Sequence, residues 1–304
     1  MAILCPLAVS WWVFIAVFCV LHASYYNFDR LPRFVKHLFV YGKVRDKKKA
    51  RGESAWDTLL SVPKGCFWHF YALSFIWNSS LLGFAVYAWF LGGTFPQKLI
   101  GLLNYLTYYP DEPSSHLSII LAMIVIVIQA TRRTYECFFV SSYSNSKIHL
   151  IHYLMGLYFY LSLGLSVLSK APNLKKGTFI QLNDIRINHV LGITLFIWAT
   201  IHHHRAHVIF ANLRKGKHGE FVDKSHKIPH GDWFEYVSCP HYLAEILIYF
   251  SIQIVLGFDH TLFLAAFIFT LANQTAASKF VHRWYRDTFP DYPKDRMAVF
   301  PWVL

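Results

Sequence analysis

The chain reads as a series of long apolar runs separated by shorter polar segments. The runs lie near 7–28, 67–91, 117–131, 148–168, 188–211, 242–258 and 262–281. About 20 residues of helix cross a bilayer, so the pattern predicts about seven transmembrane helices, the third and sixth short for a span. No polar stretch is long enough for a second folded unit. The expected fold is an all-α integral membrane protein, a single bundle forming one domain over 1–304. The first run has no basic start and no small-residue cleavage site, and it is too long for a typical signal core. It reads as a retained helix.

Composition agrees with this reading. Of 304 residues, 55% are hydrophobic, 18% aromatic and 15% charged, against about 25% charged in a soluble domain. The net charge of +12 acquires meaning from its placement. Loops 29–66, 212–240 and 141–147, together with the C-terminal tail, hold twenty Lys and Arg, and the loops on the opposite side hold five. The positive-inside rule then places the N-terminus in the lumen and the C-terminus in the cytosol. The basic loop 29–66, with its run "KVRDKKKAR", is expected to face cytosolic headgroups. It carries no aromatics within that run, which argues against nucleic acid as a partner. No obligate protein partner is inferred. Five scattered cysteines without a CxxC pair argue against a disulfide framework or a zinc site. The sequons at Asn78 and Asn273 fall inside predicted helices and are discounted.

Ionisable residues are costly inside a bilayer and mark candidate sites. Here they gather towards the cytosolic helix ends. Arg132, Arg133 and Glu136 are expected to end the third helix, and His202, His203, His204, Arg205 and His207 the fifth. Glu245 lies one turn inside the sixth, and His282, Arg283, Tyr285 and Arg286 follow the seventh. Adjacent Arg132 and Arg133 point to different faces, so one of the two is expected to face the bundle. Lys215 and Lys217 read as headgroup-facing cations. Glu245 does not, because snorkelling favours long cations over carboxylates. His241 and Glu245 are four apart and share a helix face, as a functional pair or as a structural ion pair. Cations and hydrogen-bonding groups from four segments suit a ligand anionic at one end and planar at the other, such as a phosphorylated dinucleotide. HxxxH pairs occur at His203/His207 and His226/His230. The HxxHH boxes of membrane di-iron enzymes are missing, and so is a second helix to complete a haem pair with His189 and His203. No metal is expected.

Longer motifs are more specific. "IPHGDWFEYVSCPHYLAEILIY" and the tail "HRWYRDTFPDYPKDRMAVFPWVL" closely resemble the steroid 5-alpha-reductase family, most of all its polyprenol (polyprenal) reductase branch. "YGK" at 41–43, "VPKGCFWHFYALSFIWN", "RRTYECFFVSSYSN" and "HVIFANLRK" extend the likeness over nearly the whole chain after the first helix. The resemblance implies a multi-pass protein of the endoplasmic reticulum membrane. It implies use of NADPH to reduce a carbon–carbon double bond conjugated to a carbonyl. It places the cofactor in the half from about 130 to 304, at Arg133, Asn145, His203, His207, Arg214, His226, His241, Glu245, His282 and Tyr285.

The chain departs from the steroid enzymes of that family. His203 and His207 stand where they carry Asn and Asp, and His241 where they carry Asn. Their catalytic Glu has no counterpart in "FWHFY", and their active-site Tyr falls at Ala130. Tyr71 and His69 are the candidate catalytic groups in their place. Hydride adds readily to a double bond only where the developing charge can spread, which an α,β-unsaturated aldehyde allows and an allylic alcohol does not. The expected substrate is therefore polyprenal, with Tyr71 or a protonated His69 stabilising the enolate oxygen. The expected role is reduction of the alpha-isoprene unit of polyprenal or polyprenol on the route to dolichol, which supports protein N-glycosylation. Alternatives are a 3-oxo-5-alpha-steroid 4-dehydrogenase, an enoyl thioester reductase, an isoprenylcysteine-type membrane methyltransferase and a non-catalytic lipid carrier.

Overall fold

The computed structural model describes residues 5–25, 60–107, 113–141, 147–172, 174, 178, 180–215 and 226–303. Most of these residues are helical. The α-helices are α1 (Pro6–Ala23), α2 (Trp68–Phe90), α3 (Gln97–Leu106), α4 (His116–Phe139), α5 (Leu150–Leu168), α6 (Ile187–Asn212), α7 (Pro240–Leu256) and α8 (Thr261–Thr288). Five segments are long and apolar enough to cross a membrane: α1, α2 with the 3-10 turn before it, α4, α5 and α8. The protein is thus a helical membrane protein. α6 is 26 residues long, but its histidines and Arg205 dilute its apolar character. α7 is apolar and 17 residues long.

Four features differ from the sequence expectation. α8 continues to Thr288, so that His282, Arg283, Tyr285 and Arg286 lie within it rather than after it. A two-stranded antiparallel ribbon, β1 (Ser61–Pro63) with β2 (Lys147–His149), interrupts the all-α pattern. α3 occupies a stretch expected to be loop. α4 continues to Phe139 rather than ending at Arg132, Arg133 and Glu136, because these charges satisfy one another within the helix. The loop 29–66 lies almost wholly outside the described residues.

Local chemistry sets the helix boundaries. Pro6 and Pro240 stand in the first turns of α1 and α7, where a missing N–H costs nothing. Ser115 caps α4 by accepting from Ser118 N at 3.1 Å. Gly257, with φ of +90°, ends α7 in a backbone conformation that suits glycine.

The most extensive helix contacts join α6 to α7, α2 to α4 and α1 to α8. At the first of these, a Cβ added to Gly192 would come within 2.8 Å of the Ser251 carbonyl. Only a residue without a side chain admits so close an approach, a familiar device where membrane helices meet. Trp11 of α1 is fully buried against Phe159 and Phe269, and its Nε1 donates to Ser166 Oγ at 3.1 Å. Asn78 is also fully buried, its Nδ2 donating to Ser74 O and Tyr160 O. At one end of the bundle, Lys170 pairs with Asp259, and Asn188 donates to the carbonyls of Ile254 and Val255. The other end holds the principal cavity.

Candidate active site

A cavity of about 420 Å³ lies among α2, α4, α5, α6, α7 and α8. Its chemistry changes with depth. Lys64, Ser141, Arg214, His226 and Lys227 lie in the connections between helices that form its mouth, and Phe159 and Phe269 line its inner part. Tyr285 and Phe269 are 16 positions apart on α8, which at 1.5 Å per residue spans roughly 24 Å of depth. Tyr71, Arg133, His203, His207, His241 and Glu245 occupy the zone between.

The polar zone is wired together. Arg133 Nη2 donates to the Tyr71 hydroxyl at 3.2 Å, and its guanidinium lies 4.7 Å from the Tyr71 ring centre. Arg132 Nη2 donates to Gln129 Oε1 and to His203 Nδ1, each at 2.7 Å. His203 Nε2 and His207 Nε2 are 3.1 Å apart. Both arginines pair with Glu136, which is fully buried. Gln274 Nε2 donates to Glu245 Oε2 at 2.7 Å. Both arginines therefore turn inward, which corrects the expectation that one would. Glu245 finds Gln274 as its hydrogen-bond partner, and no ion pair with His241 is seen among the described residues.

Two sequence motifs build the mouth jointly. Ser238 N donates to Met297 O at 2.8 Å, Cys239 N to Ala298 O at 3.1 Å, and Met297 N to Tyr236 O at 3.0 Å. Arg296, 2% exposed, donates from Nη1 to Pro229 O at 3.0 Å and lies 5.2 Å from the Tyr292 ring centre. The tail thus straps the segment before α7 and fixes where Pro240 starts the helix. That start sets the positions of His241 and, one turn on, Glu245. A bond from Gly231 N–H at 2.5 Å holds the Glu235 carboxyl below the usual carboxylate range. Burial lowers the pKa of Arg214 from the usual arginine range and raises that of the Tyr292 phenol.

Of the expected site residues, Tyr71, Arg133, His203, His207, Arg214, His226, His241, Glu245 and Tyr285 come together on this one cavity. His69 and His282 are not among its lining. His69 Nδ1 bonds the Tyr153 hydroxyl at 2.7 Å on another face of α2. His282 Nδ1 bonds Ser238 Oγ at 2.7 Å, one layer behind Tyr285, whose ring stacks on Tyr292. Asn145 lies outside the described residues. Sequence reasoning missed Gln274, Asn273 and Tyr160, which also line the cavity. The signal for the first two was present, since Asn273 and Gln274 form a polar pair within an apolar helix.

The donor set fits a phosphorylated dinucleotide. Arg214 and Lys227 at the mouth suit phosphates. Glu245 with Gln274 offers both an acceptor and a donor for a carboxamide deeper in. The aromatic inner part suits an apolar co-substrate.

Comparison with known proteins agrees with this layout. Residues 146–304 match the family described as 3-oxo-5-alpha-steroid 4-dehydrogenase. The chain is 39% identical over 272 residues to a polyprenal reductase of Xenopus tropicalis, covering 88% of this chain and 87% of that protein. It is 37% identical over 272 residues to a human polyprenal reductase, covering 88% and 85% respectively. A Danio rerio polyprenal reductase is 34% identical over 282 residues, covering 90% of each. With likeness of this extent, and with the family match falling on the helices that carry most of the polar lining, the chain belongs to the steroid 5-alpha-reductase family of oxidoreductases.

Proposed function

We propose that the protein reduces the alpha-isoprene double bond of polyprenal, using NADPH, on the route to dolichol in the endoplasmic reticulum membrane. The observation that carries this reading is the gradient within one cavity. A cationic mouth leads through a hydrogen-bonded zone to an aromatic interior inside a membrane bundle. A soluble anionic cofactor and a lipid can meet there without either leaving its own phase. The polyprenal reductases above support the choice of lipid.

Arg214 and Lys227 would hold the cofactor's phosphates, and Glu245 with Gln274 its carboxamide. When bound, NADPH supplies a hydride for the β-carbon of the unsaturated aldehyde. The chain's own part is to stabilise the charge that then grows on the carbonyl oxygen. Arg133 donates to the Tyr71 oxygen, which leaves the phenol hydrogen for the substrate oxygen. Tyr71 is thus the donor. Phe70, Phe159 and Phe269 exclude water around it, which strengthens every charge interaction in the zone. Protonation of the α-carbon completes the saturated aldehyde.

Seven spans, counting α6 and α7, with a lumenal N-terminus and a cytosolic C-terminus complete the reading. The lining supports it. Lys64, Ser141 and the pair Arg214 and Lys227, from three connections between helices, all meet at the cavity mouth, as a cytosolic face requires.

The test is NADPH consumption by purified protein in lipid nanodiscs, offered polyprenal, polyprenol, a 3-oxo-4-ene steroid or an enoyl thioester. Polyprenal is expected to be turned over fastest. Equal turnover of polyprenol with no oxidising partner present would refute the aldehyde argument, and preference for the steroid would refute the lipid assignment.

A further inference from the structure

Glu136 lies outside the cavity lining, yet it is the point at which the polar zone converges. Its carboxylate is fully buried and divided in function. Oε1 accepts from Arg132 Nη1 and, at 2.7 Å, from His204 Nδ1; Oε2 accepts from Arg133 Nη1. Each arginine then reaches a different group with its other arm. Arg133 reaches the Tyr71 hydroxyl, and Arg132 reaches His203 Nδ1.

The second arm has a consequence for protons. A guanidinium only donates, so His203 Nδ1 must be an acceptor and its proton must sit on Nε2. That Nε2–H faces His207 Nε2 at 3.1 Å, which must accept in turn, leaving the His207 proton on Nδ1. One carboxylate, through one arginine, thereby dictates the tautomers of two histidines at the cavity wall.

Stability is a poor explanation for such a cluster. Two buried charges and a half-buried third gain little over well-packed apolar side chains of the same volume. We propose that Glu136 is a positioning residue, which aims Arg133 at Tyr71 and, through Arg132, fixes the proton arrangement of the His203–His207 pair. The assignment rests on the reductase reading for the role of Tyr71, and on geometry alone for the histidines.

The test is a double-mutant cycle between Glu136→Gln and Tyr71→Phe, in the full chain in nanodiscs, with turnover counted per folded molecule. If Glu136 acts through Arg133 on Tyr71, Glu136→Gln lowers kcat on the order of 100-fold in the wild-type background. In the Tyr71→Phe background its further effect is within about 3-fold, because the two changes share one pathway. A structural role predicts the same factor in both. Histidine ¹⁵N spectra of the unliganded protein supply a second readout, with His203→Gln as the assignment control. Wild type is expected to show His203 protonated on Nε2, and Glu136→Gln to show mixed tautomers. Equal losses in the two backgrounds, or a histidine spectrum unchanged in Glu136→Gln, overturn the proposal. Should Glu136→Gln not fold, the charge-balanced pair Glu136→Gln with Arg132→Met replaces it in the cycle. If neither folds, Glu136 is a folding residue and the proposal falls. If wild type consumes NADPH with none of the offered substrates, the reductase reading fails, and the histidine spectra still decide the role of Glu136.

Discussion

Replacing Glu245 separates function from packing more cleanly than any other change at the cavity. The side chain lies one turn inside α7 and lines the cavity, with Gln274 of α8 as its hydrogen-bond partner at 2.7 Å. Glu245→Ala removes an acceptor whose charge-assisted bonds are worth roughly 1.5–3 kcal/mol each. If one such bond is made to the cofactor as the reaction proceeds, its loss costs about one to two decades of rate at ~1.36 kcal/mol per decade. Displacement of the reacting ring adds to this, so a total near two decades or more is expected. Glu245→Gln keeps the shape and one acceptor and should retain more of the rate. The assay is NADPH oxidation per correctly folded molecule, with melting temperature recorded in parallel. A packing role predicts low expression, a lower melting temperature and normal specific activity. That result for Glu245→Ala would refute the assignment and leave Glu245 as a link between α7 and α8.

Four further outcomes are expected. A C-terminal tag on microsomal protein should be cut by added protease without permeabilisation; protection would invert the topology. Arg214→Ala should raise the Michaelis constant for NADPH more than that for NADH, by about tenfold for one lost charge-assisted bond, and equal effects would remove Arg214 from the extra phosphate. Gly192→Val should lower stability by about 1–3 kcal/mol through overpacking at the Ser251 carbonyl, read as a drop in melting temperature with specific activity preserved. The Glu235 carboxyl is held low by the Gly231 N–H, so it adds stability above its unfolded pKa of about 4.3 and loses it as pH falls through the lower folded value; Glu235→Gln should flatten the melting temperature in that acid window.

Much of this structure could be read before any coordinates. Lipid imposes a minimum length on every apolar run, and the runs therefore locate each long helix, missing chiefly the polar ends of α4 and α8, which run on to Phe139 and Thr288. α3 escaped notice because ten residues carrying Gln97, Lys98 and Asn104 leave only a narrow apolar stripe, too short to separate from a loop by pattern. The ribbon of Ser61–Pro63 with Lys147–His149 escaped for another reason. Its two strands are three residues each and far apart in sequence, so tertiary pairing rather than propensity makes them.

The site was legible as a face and illegible as a circuit. Clustered Arg, His and Glu at one set of helix ends marked where a polar ligand must lie, because each such group is expensive in a bilayer. The same expense dictates partners, and single positions do not reveal partners. Arg132, Arg133 and Glu136 stand in the sequence as the expected end of the third helix, whereas they form a paired cluster within α4, which continues to Phe139. Gln274 is hidden within a discounted sequon, though a half-buried carboxylate such as Glu245 needs a donor on a facing helix. His282 was carried over by resemblance, which preserves position along the chain but not depth from the cavity; its ring supports Ser238 behind Tyr285. In a membrane bundle, then, a polar residue is better read together with the partner it requires: asking what could satisfy Glu136 leads to Arg132 and Arg133 on its own helix, and from them to Tyr71 and His203 across the cavity.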